Sequence, residues 1–258
     1  APHRVTLPQL TGAMGGTTLL GALDFDDTGS KPKISGSLVL PTLDPRPFLG
    51  RKPAKENTDP PRSLADVYRT LAAATFSLKQ LNGADLDLTL GVGSWSSLAG
   101  EIKDVSLQLK LKDGVLNAPL KASVAGVALS GSIEADATAD PPKFKLALGT
   151  HDSDLGGLAL LLAGVRGVKG QLGRFDLKLA AQGDQGSELV RSLEVRLDVE
   201  RGRFSYGNIA GGRPVKFALD RLAVLLPAGG ALTGDMRGNL LEHPFTAQLR
   251  AGVLEPMM

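Results

Sequence analysis

A group of acidic residues near the start of the chain has the spacing of a catalytic motif. Asp24, Asp26 and Thr28 follow an aliphatic run and match the pattern D-x-D-x-T. A phosphatase with this pattern uses the first carboxylate as nucleophile and the second as general acid. The same stretch contains Asp27-Thr28-Gly29, the triplet of aspartic proteases. The alternative is a hairpin turn, in which Asp, Thr and Gly are common for conformational reasons.

An internal repeat favours the hairpin turn. Residues 21–38 match residues 131–148 without a gap, at an offset of 110 residues, and the Asp26-Asp27-Thr28 stretch recurs as Asp136-Ala137-Thr138. A catalytic loop is not expected to recur as a hairpin in both copies. The flanking strands are also of the antiparallel type, whereas a haloacid-dehalogenase phosphatase needs alternating strands and helices. We therefore expect Asp26 and Asp136 to lie at or beside exposed turns, and we predict no catalytic residue.

Other reactive groups are scarce. The chain has no Cys, and its three histidines, His3, His151 and His243, lie far apart with no H-x-x-x-H spacing. These features predict no metal site and no thiol chemistry, and we predict no cofactor. The net charge of +2 supplies no basic field, so nucleic acid is not an expected partner.

The dominant pattern along the chain is alternation of apolar and polar residues. Val105, Leu107, Leu109 and Leu111 alternate with polar residues, and the Asp113-Gly114 pair that follows is a strong hairpin signal. About a dozen segments, many near 10 residues, share this pattern. The chain has 32 Gly but only 8 Phe, 2 Tyr and 1 Trp. It therefore predicts an all-β protein: a long antiparallel meander with one aliphatic face.

Few helices are expected. Apolar spacing indicates one helix after Ser63, a second from Asp154 to Gly167, and a short third from Ser187 to Leu193. The predicted organisation is one elongated domain. It comprises a first repeat (1–50), a loop (51–62), a short helix (63–75), and a second repeat with closing strands (76–258).

The aliphatic face is the candidate functional surface. About twelve strands at ~4.8 Å spacing form a sheet roughly 55–60 Å wide, which two or three short helices cannot cover. Two sheets in contact would make this face an ordinary core, whereas one curved sheet would leave an open hydrophobic groove. Composition alone leaves both possibilities open.

Residues 76–90 and the hairpin of residues 105–120, with its Asp113-Gly114 turn and Pro119-Leu120, resemble the AsmA family. The resemblance implies a curved, U-shaped β-groove in a Gram-negative envelope protein. Such proteins are held in the inner membrane and carry phospholipid across the periplasm. No segment here reaches the ~18–20 apolar residues of a membrane-spanning helix, so any anchor is expected outside this chain. The residues predicted to line the groove are Leu23, Ile34, Leu38, Leu86, Leu88, Leu90, Val105, Leu107, Leu109, Leu111, Leu129, Ile133, Phe144, Leu146, Leu148, Phe175, Leu177, Leu179, Val195, Leu197, Phe217, Leu219, Phe245 and Leu249.

The expected function is therefore non-enzymatic binding or transfer of phospholipid, or of another acyl lipid, by a periplasmic protein. One alternative is an outer-membrane β-barrel, although such barrels carry aromatic girdles and this chain has few aromatic residues. Another is a structural or partner-binding β-sandwich with a dry core. Nothing in the sequence indicates a protein partner.

Overall fold

The computed structural model describes residues 3–14, 17–43, 77–97, 100–124, 126–154, 156, 168–209 and 213–252. These residues form thirteen β-strands and two short helical segments. The strands are β1 (Arg4–Met14), β2 (Thr17–Asp26), β3 (Lys33–Leu43), β4 (Asp85–Ser97), β5 (Gly100–Lys112), β6 (Val115–Val124), β7 (Val127–Asp136), β8 (Lys143–Asp154), β9 (Val168–Gln182), β10 (Glu194–Ile209), β11 (Arg213–Leu226), β12 (Leu232–Leu240) and β13 (His243–Ala251).

All thirteen strands form one sheet, in which each strand lies beside its neighbours in sequence. The sheet is open, with β1 and β13 at its edges. The all-β prediction and the meander order are confirmed. The prediction of a wholly antiparallel sheet is wrong at one place, because β3 and β4 pair in parallel, with Lys33 beside Asp85. Parallel neighbours need a long connection. The connection here is residues 44–84, of which 44–76 lie outside the described residues.

Strand β1 has no counterpart among the predicted strands, and its sequence explains why. Its register shifts between Leu7 and Leu10, where Pro8 lies. The shift moves the next inward-facing apolar residue by one position and breaks the alternation that identifies a strand. Pro8 also fits an edge strand, which does not use every backbone N–H in pairing.

The two helical segments are a 3₁₀ turn (Leu78–Gly83) and the helix α1 (Gly186–Arg191). α1 agrees with the predicted third helix, whereas the 3₁₀ turn was not predicted. The carboxylate of Asp184 holds this turn, accepting hydrogen bonds from the Ser77 hydroxyl at 2.7 Å and the Lys79 N–H at 2.8 Å. Among the described residues, none of the helices has the length and apolar character needed to cross a membrane.

Several predicted segments lie outside the described residues. They are the helix after Ser63, the body of the helix between Asp154 and Gly167, and the loop 51–62.

Two hairpins have the same register at the offset of the sequence repeat. In β2–β3, Asp26 pairs with Lys33 and Gly21 with Leu38. In β7–β8, the residues 110 positions later form the same pairs, Asp136 with Lys143 and Gly131 with Leu148. The prediction that both acidic stretches end a hairpin is therefore confirmed for these residues.

Gly131 is required for close approach of β8. A Cβ atom at this position would collide with the carbonyl oxygen of Ala147 and lie 3.0 Å from Cδ2 of Leu148. We expect Gly131→Ala to lower the free energy of unfolding by roughly 1–3 kcal/mol, because the strands must separate. Gly83→Ala is the matched control, since no atom lies within 4 Å of its added Cβ. Equal denaturant midpoints for the two variants would contradict this assignment.

The best-packed part of the molecule lies in the centre and second half of the sheet. Its members are Val124, Val127, Leu129, Leu172, Phe175, Val199 and Leu219. They come from β6, β7, β9, β10 and β11. Strand β8 contributes the small buried side chains of Thr150 and Ser153, which pair with Phe175 and Leu172. We refer to the seven apolar residues Val124, Val127, Leu129, Leu172, Phe175, Val199 and Leu219 as the packed cluster.

Candidate functional site

One continuous row of apolar residues crosses the whole sheet. Directly paired residues on adjacent strands point to the same face, so the register can be followed from edge to edge. The row contains only Leu, Val and Gly, with one residue from each strand. We call it the leucine row: Leu10, Gly21, Leu38, Leu90, Leu107, Leu120, Gly131, Leu148, Leu177, Leu197, Val224, Gly234 and Leu249.

The opposite face of the same strands is mainly polar. Asp87 pairs with Lys110, and Glu134 pairs with both Asn117 and Lys145. We call the two surfaces the aliphatic face and the polar face. Their separation is the physical result of strict two-residue alternation along most strands.

The register places all the predicted lining residues on the aliphatic face. Leu111, Leu129, Phe175 and Leu219 are buried, Leu249 is exposed, and the other nineteen are half-buried. Half-burial is expected for a sheet face that no second layer covers, whereas a sandwich would bury the same positions. Much of the aliphatic face therefore remains accessible.

Burial is uneven across this face. In the packed cluster, Val127 is 1% exposed and Leu172 2% exposed. Towards the sheet edges the apolar residues open to solvent, with Leu7 44% exposed on β1 and Leu249 54% exposed on β13. The predicted lining residues Leu129, Phe175 and Leu219 belong to the packed cluster, so their packing stabilises the fold.

Three phenylalanines form an aromatic contact on the aliphatic face of the second half of the sheet. The ring centroids of Phe204 and Phe217 lie 4.4 Å apart, and those of Phe217 and Phe245 lie 5.1 Å apart. The alternation in β10 predicted inward-facing residues only as far as Val199 and therefore missed Phe204. The positive φ of 57° at Arg201 inverts the alternation, as a β-bulge does. Phe204 pairs with Phe217 on β11, and this long-range pairing is the signal that would have identified Phe204 as an inward-facing residue.

The acidic turns are hydrogen-bonded structural elements. The Asp26 carboxylate accepts hydrogen bonds from the Thr28 hydroxyl at 2.6 Å and the Thr28 N–H at 2.9 Å. Asp136 accepts the same two bonds, at the same distances, from Thr138. These bonds, with the hydroxyl as the largest cause, lower the pKa of both carboxyls.

The sequence also predicted no metal site. His3, His151 and His243 are all exposed. Within the described ranges, no three side chains of His, Asp or Glu come together as metal ligands.

The lowered pKa of Asp136 gives a pH prediction. A carboxyl with a lowered folded-state pKa stabilises the protein above its unfolded pKa of ~3.9, and this stabilisation is lost as the pH falls through the folded pKa. We expect Thr138→Val to raise the pKa of Asp136 towards ~3.9 and leave that of Asp26 unchanged. Carboxyl ¹³C NMR titration would measure both, with Thr28→Val as the reciprocal control. An unchanged Asp136 titration in Thr138→Val would contradict the assignment.

No protein-family model, curated protein or solved structure matches this chain. The resemblance to the AsmA family therefore stays a prediction based on residues 76–90 and 105–120. A function has to be inferred from the aliphatic face itself.

Proposed function

We propose that this chain binds the acyl chains of lipids along its aliphatic face and transfers phospholipid without catalysing a reaction. The observation that supports the proposal is the leucine row, which crosses thirteen strands without a polar side chain. The AsmA resemblance adds the setting: the periplasm of a Gram-negative envelope, with a membrane anchor outside this chain.

The physical argument begins with solvation. Exposed apolar surface is unfavourable in water by ~25 cal/mol per Å², and a long row of half-buried leucines accumulates this cost. Twelve inter-strand steps of ~4.8 Å give a row about 58 Å long. An acyl chain lying along such a row removes apolar surface from water on both partners. Its head group can remain in solvent, which avoids burying a charge.

The shape of the proposed site is a hydrophobic groove made by curvature of the single sheet. A large twisted sheet tends to curl. Packing of β6 and β7 residues with β9 to β11 residues in one cluster supports curvature towards the aliphatic face. We also propose that the β2–β3 and β7–β8 hairpins are copies of one repeated unit, since repetition lengthens such a face.

A structural scaffold is the second candidate function. The packed cluster supports it, because residues such as Val127 and Leu172 have almost no accessible surface. A scaffold would use the aliphatic face only to stabilise the fold and would bind no lipid.

Lipid extraction separates the two candidates. The protein would be purified without detergent and without added lipid. It would then be extracted with organic solvent, and the extract analysed for lipid by mass spectrometry. We expect phospholipid in stoichiometric amounts, and uptake of a fluorescent fatty acid after delipidation. Protein that contains no lipid and takes up no fatty acid would refute lipid binding and favour the scaffold.

A further inference from the structure

Two short helical segments lie at one end of the central strands. The 3₁₀ turn contacts β6 and buries the side chain of Leu78, whereas α1 contacts β9 and buries that of Val190. A buried apolar side chain on so short a segment needs an apolar surface to pack against. We call residues 77–83 and 184–191 together the strap.

Asp184 joins the two parts of the strap. Its carboxylate accepts hydrogen bonds from the Ser77 hydroxyl at 2.7 Å and the Lys79 N–H at 2.8 Å. Its carbonyl oxygen accepts a third from the Leu78 N–H at 2.9 Å. Its own N–H donates to the Glu188 carboxylate at 2.6 Å. The Ser77 hydroxyl is the largest cause of a lowered pKa at Asp184, so this carboxyl is charged at neutral pH.

The strap runs past the ends of the strands between β4 and β9. The Asn82 side chain donates to the Ala137 carbonyl oxygen at 3.3 Å, just after β7. A Cβ atom at Gly114, between β5 and β6, would collide with the same side chain. The 3₁₀ turn leads directly into β4, and Asp184 follows β9. One segment therefore bridges strands that are five positions apart in the sheet.

This bridge is shorter than the part of the sheet that it spans. Leu86 on β4 and Ala181 on β9 belong to one row and are separated by five inter-strand steps, which amount to ~24 Å along the sheet. The six residues of the 3₁₀ turn span ~12 Å at ~2.0 Å per residue. One extended residue on each side adds ~7 Å in total. A chord shorter than its arc supports curvature of the sheet towards the strap.

The buried residues of this row all lie within the span of the strap. Leu111, Ala135 and Ala181 are 3%, 4% and 5% exposed, whereas Phe25, in the same row on β2, is 36% exposed. The next two rows, which contain Leu109 and the leucine row, are mainly half-buried. The packed cluster then buries the opposite ends of β6, β7 and β9. In the central strands, the accessible aliphatic surface is therefore a band between the strap and the packed cluster.

We propose that the strap is one wall of the acyl-chain site and that Asp184 is the residue that positions this wall. The inference rests on the proposed binding of lipid to the aliphatic face. An acyl chain would cross the strands within the accessible band, over Leu107 and Leu109. Ala135 has already lost its water contact to the fold, so covering it again adds no hydrophobic gain. The strap therefore limits the width of the surface that bound chains can use.

Single cysteines can test this wall, because the chain has no Cys of its own. Ala135→Cys reports on the row beneath the strap, and Leu109→Cys reports on the accessible band. Each is combined with Asp184→Ala, and with Ser77→Ala, which removes only one of the hydrogen bonds. The control is Asp87→Ala, which removes an exposed carboxylate from the polar face of β4. The rate of alkylation by iodoacetamide is measured on delipidated protein, and melting curves establish that each variant is folded.

Loosening the strap should expose the thiol beneath it. We expect Ala135→Cys to react about tenfold faster with Asp184→Ala than without it, because local opening becomes more frequent. Ser77→Ala should give a smaller increase and Asp87→Ala none, while Leu109→Cys should react at one rate in all backgrounds. If Asp184→Ala does not fold, the Ser77→Ala comparison decides. Equally slow reaction of Ala135→Cys in every folded background would overturn the strap as its cover.

A saturating fluorescent fatty acid tests whether the strap bounds the site. We expect it to slow the alkylation of Leu109→Cys about fivefold. It should leave Ala135→Cys unaffected while Asp184 is present, and should protect Ala135→Cys once Asp184→Ala opens the strap. Protection of Ala135→Cys with Asp184 intact would overturn the wall. If the fatty acid protects neither thiol, the proposed lipid function fails and the wall fails with it, whereas faster alkylation in Asp184→Ala would still show that Asp184 holds the strap.

Discussion

Replacing Leu109 by glutamate is expected to leave the protein folded while removing most of its bound acyl lipid. Leu109 lies in the middle of β5 on the aliphatic face, opposite Leu88, and is half-buried. In the proposed open groove the new carboxylate can reach water, so the large cost of burying an unpaired charge is avoided. The same charge lies where an acyl chain would contact leucine. We expect a melting temperature within several degrees of wild type and at least a fivefold fall in fatty-acid uptake.

Gln108→Glu is the matched control for this variant. Gln108 is the preceding residue on the same strand, is exposed, and faces the polar side. The Gln108→Glu substitution adds the same charge but leaves the aliphatic face unchanged, so this variant should bind lipid like wild type. If Leu109→Glu is unfolded, this part of the face is a closed core. If Leu109→Glu is folded and binds lipid normally, β5 does not line the binding site.

Leucines of the packed cluster and of the leucine row should differ strongly when truncated. Leu172 is 2% exposed and surrounded by the packed cluster. We expect Leu172→Ala to lower the free energy of unfolding by about 2–5 kcal/mol, from lost transfer energy and a new cavity. Leu107 is half-buried, so Leu107→Ala leaves no closed cavity and should cost about 1 kcal/mol.

Urea denaturation of delipidated protein would measure both losses. Delipidation matters because bound lipid would itself stabilise the folded state. Similar losses for the two variants would show that Leu107 is packed as tightly as Leu172. The aliphatic face would then be a core throughout, and the scaffold would be the better function.

Local alternation was sufficient to predict most of the strands. The segment containing Leu107 and Leu109 is regular, so its strand and its inward face follow from sequence alone. The offset of 110 residues also predicted that Asp26 and Asp136 end equivalent hairpins. The first result depends only on neighbouring residues and the two-residue period, whereas the second depends on the match between the two copies of the repeat.

The features that could not be predicted depend on distant parts of the chain. The register shift at Leu7–Leu10 and the positive φ at Arg201 each invert a face, and the two-residue period does not predict where such inversions occur. The division between packed and accessible leucines depends on which strands face one another. Leu107 and Leu172 look alike in sequence, yet only Leu172 lies in the packed cluster.

The parallel junction between β3 and β4 has a consequence for how this chain folds. The other neighbouring strands pair antiparallel, and most follow one another through short connections. Lys33 pairs with Asp85, about 50 residues further along the chain, and the entropy cost of closing that loop must be met before its contacts form. Hairpins should therefore nucleate and propagate early from β4 to β13, with β1–β3 docking later as a unit. Until then, the bare edge of β4 is the most vulnerable site for association between nascent chains.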